Sequence, residues 1–161
     1  MFDEQFKDVE VKQLDVDLPE LWGLPENTIK GKLKITLEKS KNLKGPILVE
    51  DTSLCFNAYG GLSGPYIKYF LKAIKQEGLY KMACVFDDHS AYVQSIFCLQ
   101  KNEKRETNLF IGKREGEIVY PRGQKNFGLL GLDPCFKPNR SNKTVVKLWL
   151  IGSKKNQNIF E

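Results

Sequence analysis

The spacing of apolar positions changes along this chain, and each change predicts a different element. Val9, Val11, Leu14 and Val16 predict a strand over residues 8–16, with a phase shift near Gln13. Pro19 and Gly23 interrupt any period in Asp17-Leu18-Pro19-Glu20-Leu21-Trp22-Gly23, which reads as a loop carrying Glu20 as a surface acid. From residue 26 to about 44, Ile29, Leu33 and Leu37 fall four apart on one helical face, capped by Asn27 or Thr28. Lys30, Lys32 and Lys34 lie at the start of that helix and are expected mostly to face water. Gly45-Pro46 ends it and launches Ile47-Leu48-Val49, an apolar run that predicts a buried strand closing on Glu50-Asp51-Thr52.

A glycine-rich turn follows, and Gly64-Pro65 opens a helix whose stripe is Tyr66, Ile67, Phe70, Leu71 and Ile74. Gln76-Glu77-Gly78 breaks it, leaving residues 79–84 for a short second helix. Strict alternation over residues 90–100, a charged turn, and Asn108-Leu109-Phe110-Ile111-Gly112 predict a hairpin. Glu117-Ile118-Val119-Tyr120 reads as a further short strand, closed by Pro121-Arg122-Gly123. Residues 127–136 form an apolar, glycine-bearing loop with one acid, Asp133, and the tail over residues 145–161 is expected to fray.

Composition narrows the class. At 161 residues, with 41% apolar and 28% charged positions, one α/β domain with a real core is expected. No apolar run approaches a membrane span, and Met1-Phe2-Asp3-Glu4-Gln5-Phe6 lacks the form of a signal peptide, so a cytoplasmic protein is expected. The net charge of +5 is dispersed among alternating lysines and acids, without the motifs of a nucleic-acid binder. Cys55, Cys84, Cys98 and Cys135 lack metal-ligand spacing, and three sit in apolar runs, so reduced and mostly buried thiols are expected. His89 is the only histidine and stands in a turn, which disfavours Ser/His or Cys/His catalysis.

The candidate chemistry lies in residues 45–68. Two acids delivered at the end of a buried strand suit a hard divalent cation and, through it, a phosphate. The same acids also suit an ordinary solvated strand end, and spacing alone does not choose between the two readings.

Further motifs stand in register with that stretch. Val49-Glu50-Asp51-Thr52-Ser53-Leu54 and Gly60-Gly61-Leu62-Ser63-Gly64-Pro65-Tyr66-Ile67-Lys68 closely resemble the inosine triphosphate pyrophosphatase family, which acts on non-canonical purine nucleoside triphosphates. Asp17-Leu18-Pro19-Glu20, Tyr120-Pro121-Arg122-Gly123, Phe127-Gly128 and Asp133-Pro134-Cys135-Phe136-Lys137-Pro138 fit the same pattern in the same order, so the likeness covers most of residues 8–144. The resemblance implies a long, twisted mixed sheet flanked by helices, two lobes around a nucleotide cleft, and a homodimer. It implies Mg²⁺-dependent hydrolysis of ITP, dITP or XTP to the monophosphate and pyrophosphate, with Mn²⁺ as a substitute cation.

By the same resemblance Glu20 and Asp51 hold the metal, and Asp51 orients or deprotonates the attacking water with Glu50 sharing that work. Lys32, with Lys34 as its rival, contacts phosphate. Thr52, Phe127, Gly128 and Asp133 complete the substrate-binding set, Phe127 and Gly128 against the purine and Asp133 at the base. The family's first strand, phosphate loop and helix have no counterpart before Val9, its Ser-His-Arg motif has none after Thr144, and Leu129-Leu130-Gly131-Leu132 replaces one aromatic. A truncated gene product or an imperfect gene model is therefore expected, and the alternative function is a catalytically inactive member that binds nucleotide weakly or serves as a subunit partner.

Overall fold

A computed structural model describes residues 12–40, 45–101, 106–122 and 131–145. Helix α1 (Pro25–Lys39) is followed by strand β1 (Ile47–Phe56), a short 3-10 turn at Asn57–Tyr59, and strand β2 (Ser63–Gly64). Helix α2 (Ile67–Ala83), strands β3 (Ser90–Gln100) and β4 (Thr107–Ile118), and strand β5 (Phe136–Pro138) complete the order. The sheet runs β2-β1-β3-β4-β5.

The α/β class is as expected, whereas the pairing differs from a mixed sheet: every ladder among the described residues is antiparallel. The turn after β1 reverses the chain before α2, so β3 starts at the end where β1 finishes, with Ala91 opposite Phe56. A parallel return would need a crossover to the far end of the sheet.

Period two in β1 separates two cores. Val49, its strand partner Cys98, and Ile96, which stands opposite Asp51, face α1, where Ile29 and Leu33 cover them. Leu54 and Phe56 face the other way, packing with Ile67, Leu79 and Ala83 of α2 and with Ile118 and Phe136. The sheet thus lies between α1 on one face and α2 on the other.

Several boundaries depart from the sequence pattern. Residues 12–16 are not strand; the alternation there is too short, and no neighbouring strand is present to pair with it among the described residues. Helix α1 starts one residue earlier, with Pro25 in its first turn and Leu24 as N-cap. Thr28 instead turns its hydroxyl onto Pro25 O at 2.7 Å. Strand β1 does not stop at its acids: Thr52 and Phe56 favour strand, Leu54 and Phe56 are buried in the core, and the ladder with β3 runs on to Phe56. The break in α2 falls at Lys75, whose φ is 58°, and the helix resumes to Ala83.

The two short strands read around residues 108–120 are one strand, β4, with Val119 and Tyr120 beyond its end. Gly116 lies inside this strand because β5 packs tightly against it. A Cβ at Gly116 would stand 2.4 Å from Lys137 O and 2.6 Å from Phe136 Cζ. Gly116→Ala is expected to destabilise the protein by about 2 kcal/mol through overpacking, read as a lower urea midpoint. An unchanged midpoint would show that β5 yields freely.

The cysteines follow expectation. Cys55, Cys98 and Cys135 are buried and Cys84 is exposed, all four as free thiols. Burial pushes the Cys135 thiol up to about 12. Cys84 should therefore be the one thiol that an aromatic disulfide reagent titrates quickly in the folded protein. Two or more fast thiols would contradict this packing.

Candidate active site

Three side chains from distant parts of the sequence meet on the α1 face of the sheet. Lys32 Nζ donates to Glu20 Oε2 at 2.8 Å and to Asp51 Oδ1 at 2.8 Å. Lys32 belongs to the buried stripe of α1, between Thr28 and Thr36, and is only 6% exposed. The helical period sends Lys30 and Lys34 to solvent instead, so Lys34 does not compete for this position. Asp51 reaches the cluster because it lies on the same side of β1 as Val49, and Glu20 reaches it from the loop ahead of α1.

One ammonium shared between two carboxylates leaves an excess negative charge. Burial alone would lower the Lys32 pKa, but the hydrogen bonds from its ammonium to Asp51 and Glu20 outweigh that and hold it above its ordinary value. Burial is also the main influence on Asp51, and it holds this carboxyl above the usual carboxylate range despite the Lys32 contact, with the Glu20 charge adding to the rise. Asp51 Oδ2 is buried without a hydrogen-bond partner.

This arrangement fits a hard divalent cation. Mg²⁺ commonly takes one or two carboxylates together with waters and substrate phosphates, rather than a cage made only of protein groups. Among the described residues no group of three or more His, Cys, Asp or Glu forms such a cage. Glu20 and Asp51, the latter with its unpartnered Oδ2, are the hard oxygens that could hold such a cation, and the Lys32 ammonium lies between them.

A fourth group was missed in the sequence. Lys68 in the first turn of α2 places Nζ 3.5 Å from Glu20 Oε1 while staying mostly exposed. Its sequence distance from Glu20 and Asp51 conceals the contact. A lysine in a first helical turn opposes the helix dipole, which is a weak signal of some other role.

The other expected residues divide by the strand period. Glu50 and Thr52 point to the opposite face from Asp51, and Thr52 Oγ1 donates to Glu50 Oε1 and lies 2.8 Å from Ser95 Oγ. The structure therefore does not bring Glu50 to the Lys32 cluster. Thr52 and Asp133 instead line a cavity of about 420 Å³ with Ser95, Arg114, Leu132 and Phe136. Burial raises the Asp133 pKa there. Phe127 and Gly128 lie outside the described residues.

Comparison with known proteins decides the lineage. The family model described as the Ham1 family matches residues 2–157. The chain belongs to the Ham1 family. Solved structures share its fold at low identity. A Ham1 protein from Staphylococcus aureus superposes with a TM-score of 0.66 at 24% identity, covering 81% of this chain and 68% of that one. A HAM1 protein from Coxiella burnetii gives 0.65 at 24% identity with the same coverage, 81% and 68%. A Mycobacterium abscessus protein described as a nucleoside-triphosphatase / dITP/XTP pyrophosphatase gives 0.64 at 19% identity, covering 96% of this chain and 80% of its own. The likeness to inosine triphosphate pyrophosphatases read from the motifs is thus borne out as a family relationship. No helix among the described residues is long and apolar enough to cross a membrane.

Proposed function

We propose that this Ham1-family chain is a nucleoside triphosphate pyrophosphatase that cleaves ITP, dITP and XTP to the monophosphate and pyrophosphate, with Mg²⁺ as its cation. The buried Glu20–Lys32–Asp51 cluster carries this reading, and the dITP/XTP pyrophosphatase of similar fold from Mycobacterium abscessus agrees with it. Glu20 and Asp51 hold the cation, directly or through water. When bound, the cation screens the triphosphate charge and withdraws electrons from the phosphate oxygens.

The chain's own groups do the rest. Lys32 and Lys68 oppose the negative charge of the phosphates from two sides of Glu20. Asp51 orients the attacking water and takes its proton as oxygen adds to the α-phosphorus and pyrophosphate leaves. The Thr52–Asp133 cavity takes the nucleoside. Near Thr52 the edge of β1 is left uncovered by β2, which pairs only with Leu54 and Cys55 among the described residues.

Incubation with ITP, dITP or XTP is expected to release pyrophosphate in Mg²⁺. EDTA should stop the release, and added Mg²⁺ or Mn²⁺ should restore it. Absence of cation-dependent pyrophosphate release from all of these would overturn the proposal.

A further inference from the structure

Glu20 sits in a segment, residues 12–24, that has no regular secondary structure, so no backbone ladder holds its carboxylate in place. Contacts made by the three residues that follow Glu20 do so instead. Leu21 packs against α1 so closely that a Cβ at Gly31 would stand 2.4 Å from Leu21 Cδ1. Two residues further on, the Gly23 N–H donates to Tyr66 Oη at 3.0 Å. Between them Trp22, although 88% exposed, lays its ring on Tyr66 with centroids 4.7 Å apart. Tyr66 is the N-cap of α2 and stands two residues before Lys68, which reaches Glu20 itself.

We infer that Tyr66 and Gly31 are positioning residues: together they latch the Glu20 loop between the two helices and set the cation affinity of the site. This rests on the metal reading above and deepens it. A carboxylate on an unlatched loop must be ordered each time it meets a cation, and that entropy cost opposes binding. Lys32 alone does not replace the latch, because its ammonium fixes one carboxylate oxygen and no backbone group of the loop; ahead of Glu20 the loop is held by Lys39 Nζ, which donates to Asp17 O at 2.6 Å, and by Leu18.

Tyr66→Phe keeps the ring under Trp22 and removes only the acceptor for Gly23. Gly31→Ala leaves Tyr66 intact and displaces Leu21. Mn²⁺ binding to the full chain without nucleotide, followed by the electron spin resonance of free Mn²⁺, is expected to weaken about tenfold in each variant, as for other supports of metal ligands. Hydrogen exchange over residues 17–23 should rise in parallel. Mn²⁺ affinity and loop exchange both at wild-type levels would overturn the latch. A wild-type chain that binds no Mn²⁺ would instead overturn the metal reading. In that case loop exchange decides the latch by itself: faster exchange in both variants sustains it, and unchanged exchange overturns it.

Discussion

Lys32→Ala is expected to be the most damaging single change to the fold, costing about 3 kcal/mol of stability. The lysine is buried and answers two carboxylates whose side chains are 15% and 12% exposed. Its removal leaves two acids facing each other with no fixed cation between them, and repulsion adds to the desolvation each already bears. Lys32→Met keeps the apolar stem between α1 and the sheet and should recover part of the loss, so the difference between the variants separates packing from charge.

The pH dependence separates them further. The Asp51 pKa is raised on folding, so its contribution is present below its unfolded pKa and is lost as pH rises through its higher folded value. The Lys32 pKa is also raised, so its contribution holds below the ordinary lysine range and is lost only as pH climbs through its own folded value. Without Lys32 the Asp51 carboxyl should move up again. The variant should then lose more stability than wild type between a pH below the ordinary carboxylate range and a pH well above it. Urea midpoints at both pH values check this. Midpoints equal to wild type would mean that the cluster contributes nothing to the fold.

Asp51→Asn is expected to have the largest effect on activity, a fall in kcat of about 10³-fold. Asparagine preserves the shape at Oδ1, so Lys32 keeps an acceptor, yet the group no longer accepts a proton near neutral pH. Burial already works against the charge of Asp51, so the neutral isostere should leave the unfolding midpoint close to that of wild type. Lost turnover in a stably folded variant would separate a chemical role from a structural one. Retained turnover would move the base elsewhere, and the separation of Glu50 from the Lys32 cluster makes it a poor substitute.

Much of this organisation was legible in the residues. The 3.6-residue stripe of Ile29, Leu33 and Leu37 gave α1, and the alternation over residues 90–100 gave β3. The division of Glu50 from Asp51 was available in principle, because adjacent residues of a strand face opposite ways. It was hidden by ending the strand at its acids, which leaves their faces undefined. Glu20 and Lys68 were harder. Their meeting depends on a loop with no period and on the reversal before α2, and neither leaves a local signature. The β2 and β5 strands are two and three residues long, too short to show alternation. Gly116 shows the opposite difficulty, since a residue that usually punctuates a strand is here required by close packing within one.

Two faces of one strand therefore divide the proposed work. The α1 face carries the charged cluster proposed for the cation and phosphates, and the other face carries the cavity proposed for the nucleoside. Substitutions at Ser95 or Arg114 should accordingly shift base preference and KM more than kcat, since neither side chain lies on the Asp51 face.

The most direct measurement is hydrolysis of ITP in H₂¹⁸O with Mg²⁺, comparing wild type with Asp51→Asn and resolving the products by mass. The account predicts ¹⁸O in inosine monophosphate, unlabelled pyrophosphate, and loss of both products in the variant. Labelled orthophosphate, or labelled monophosphate formed equally well without Asp51, would contradict it.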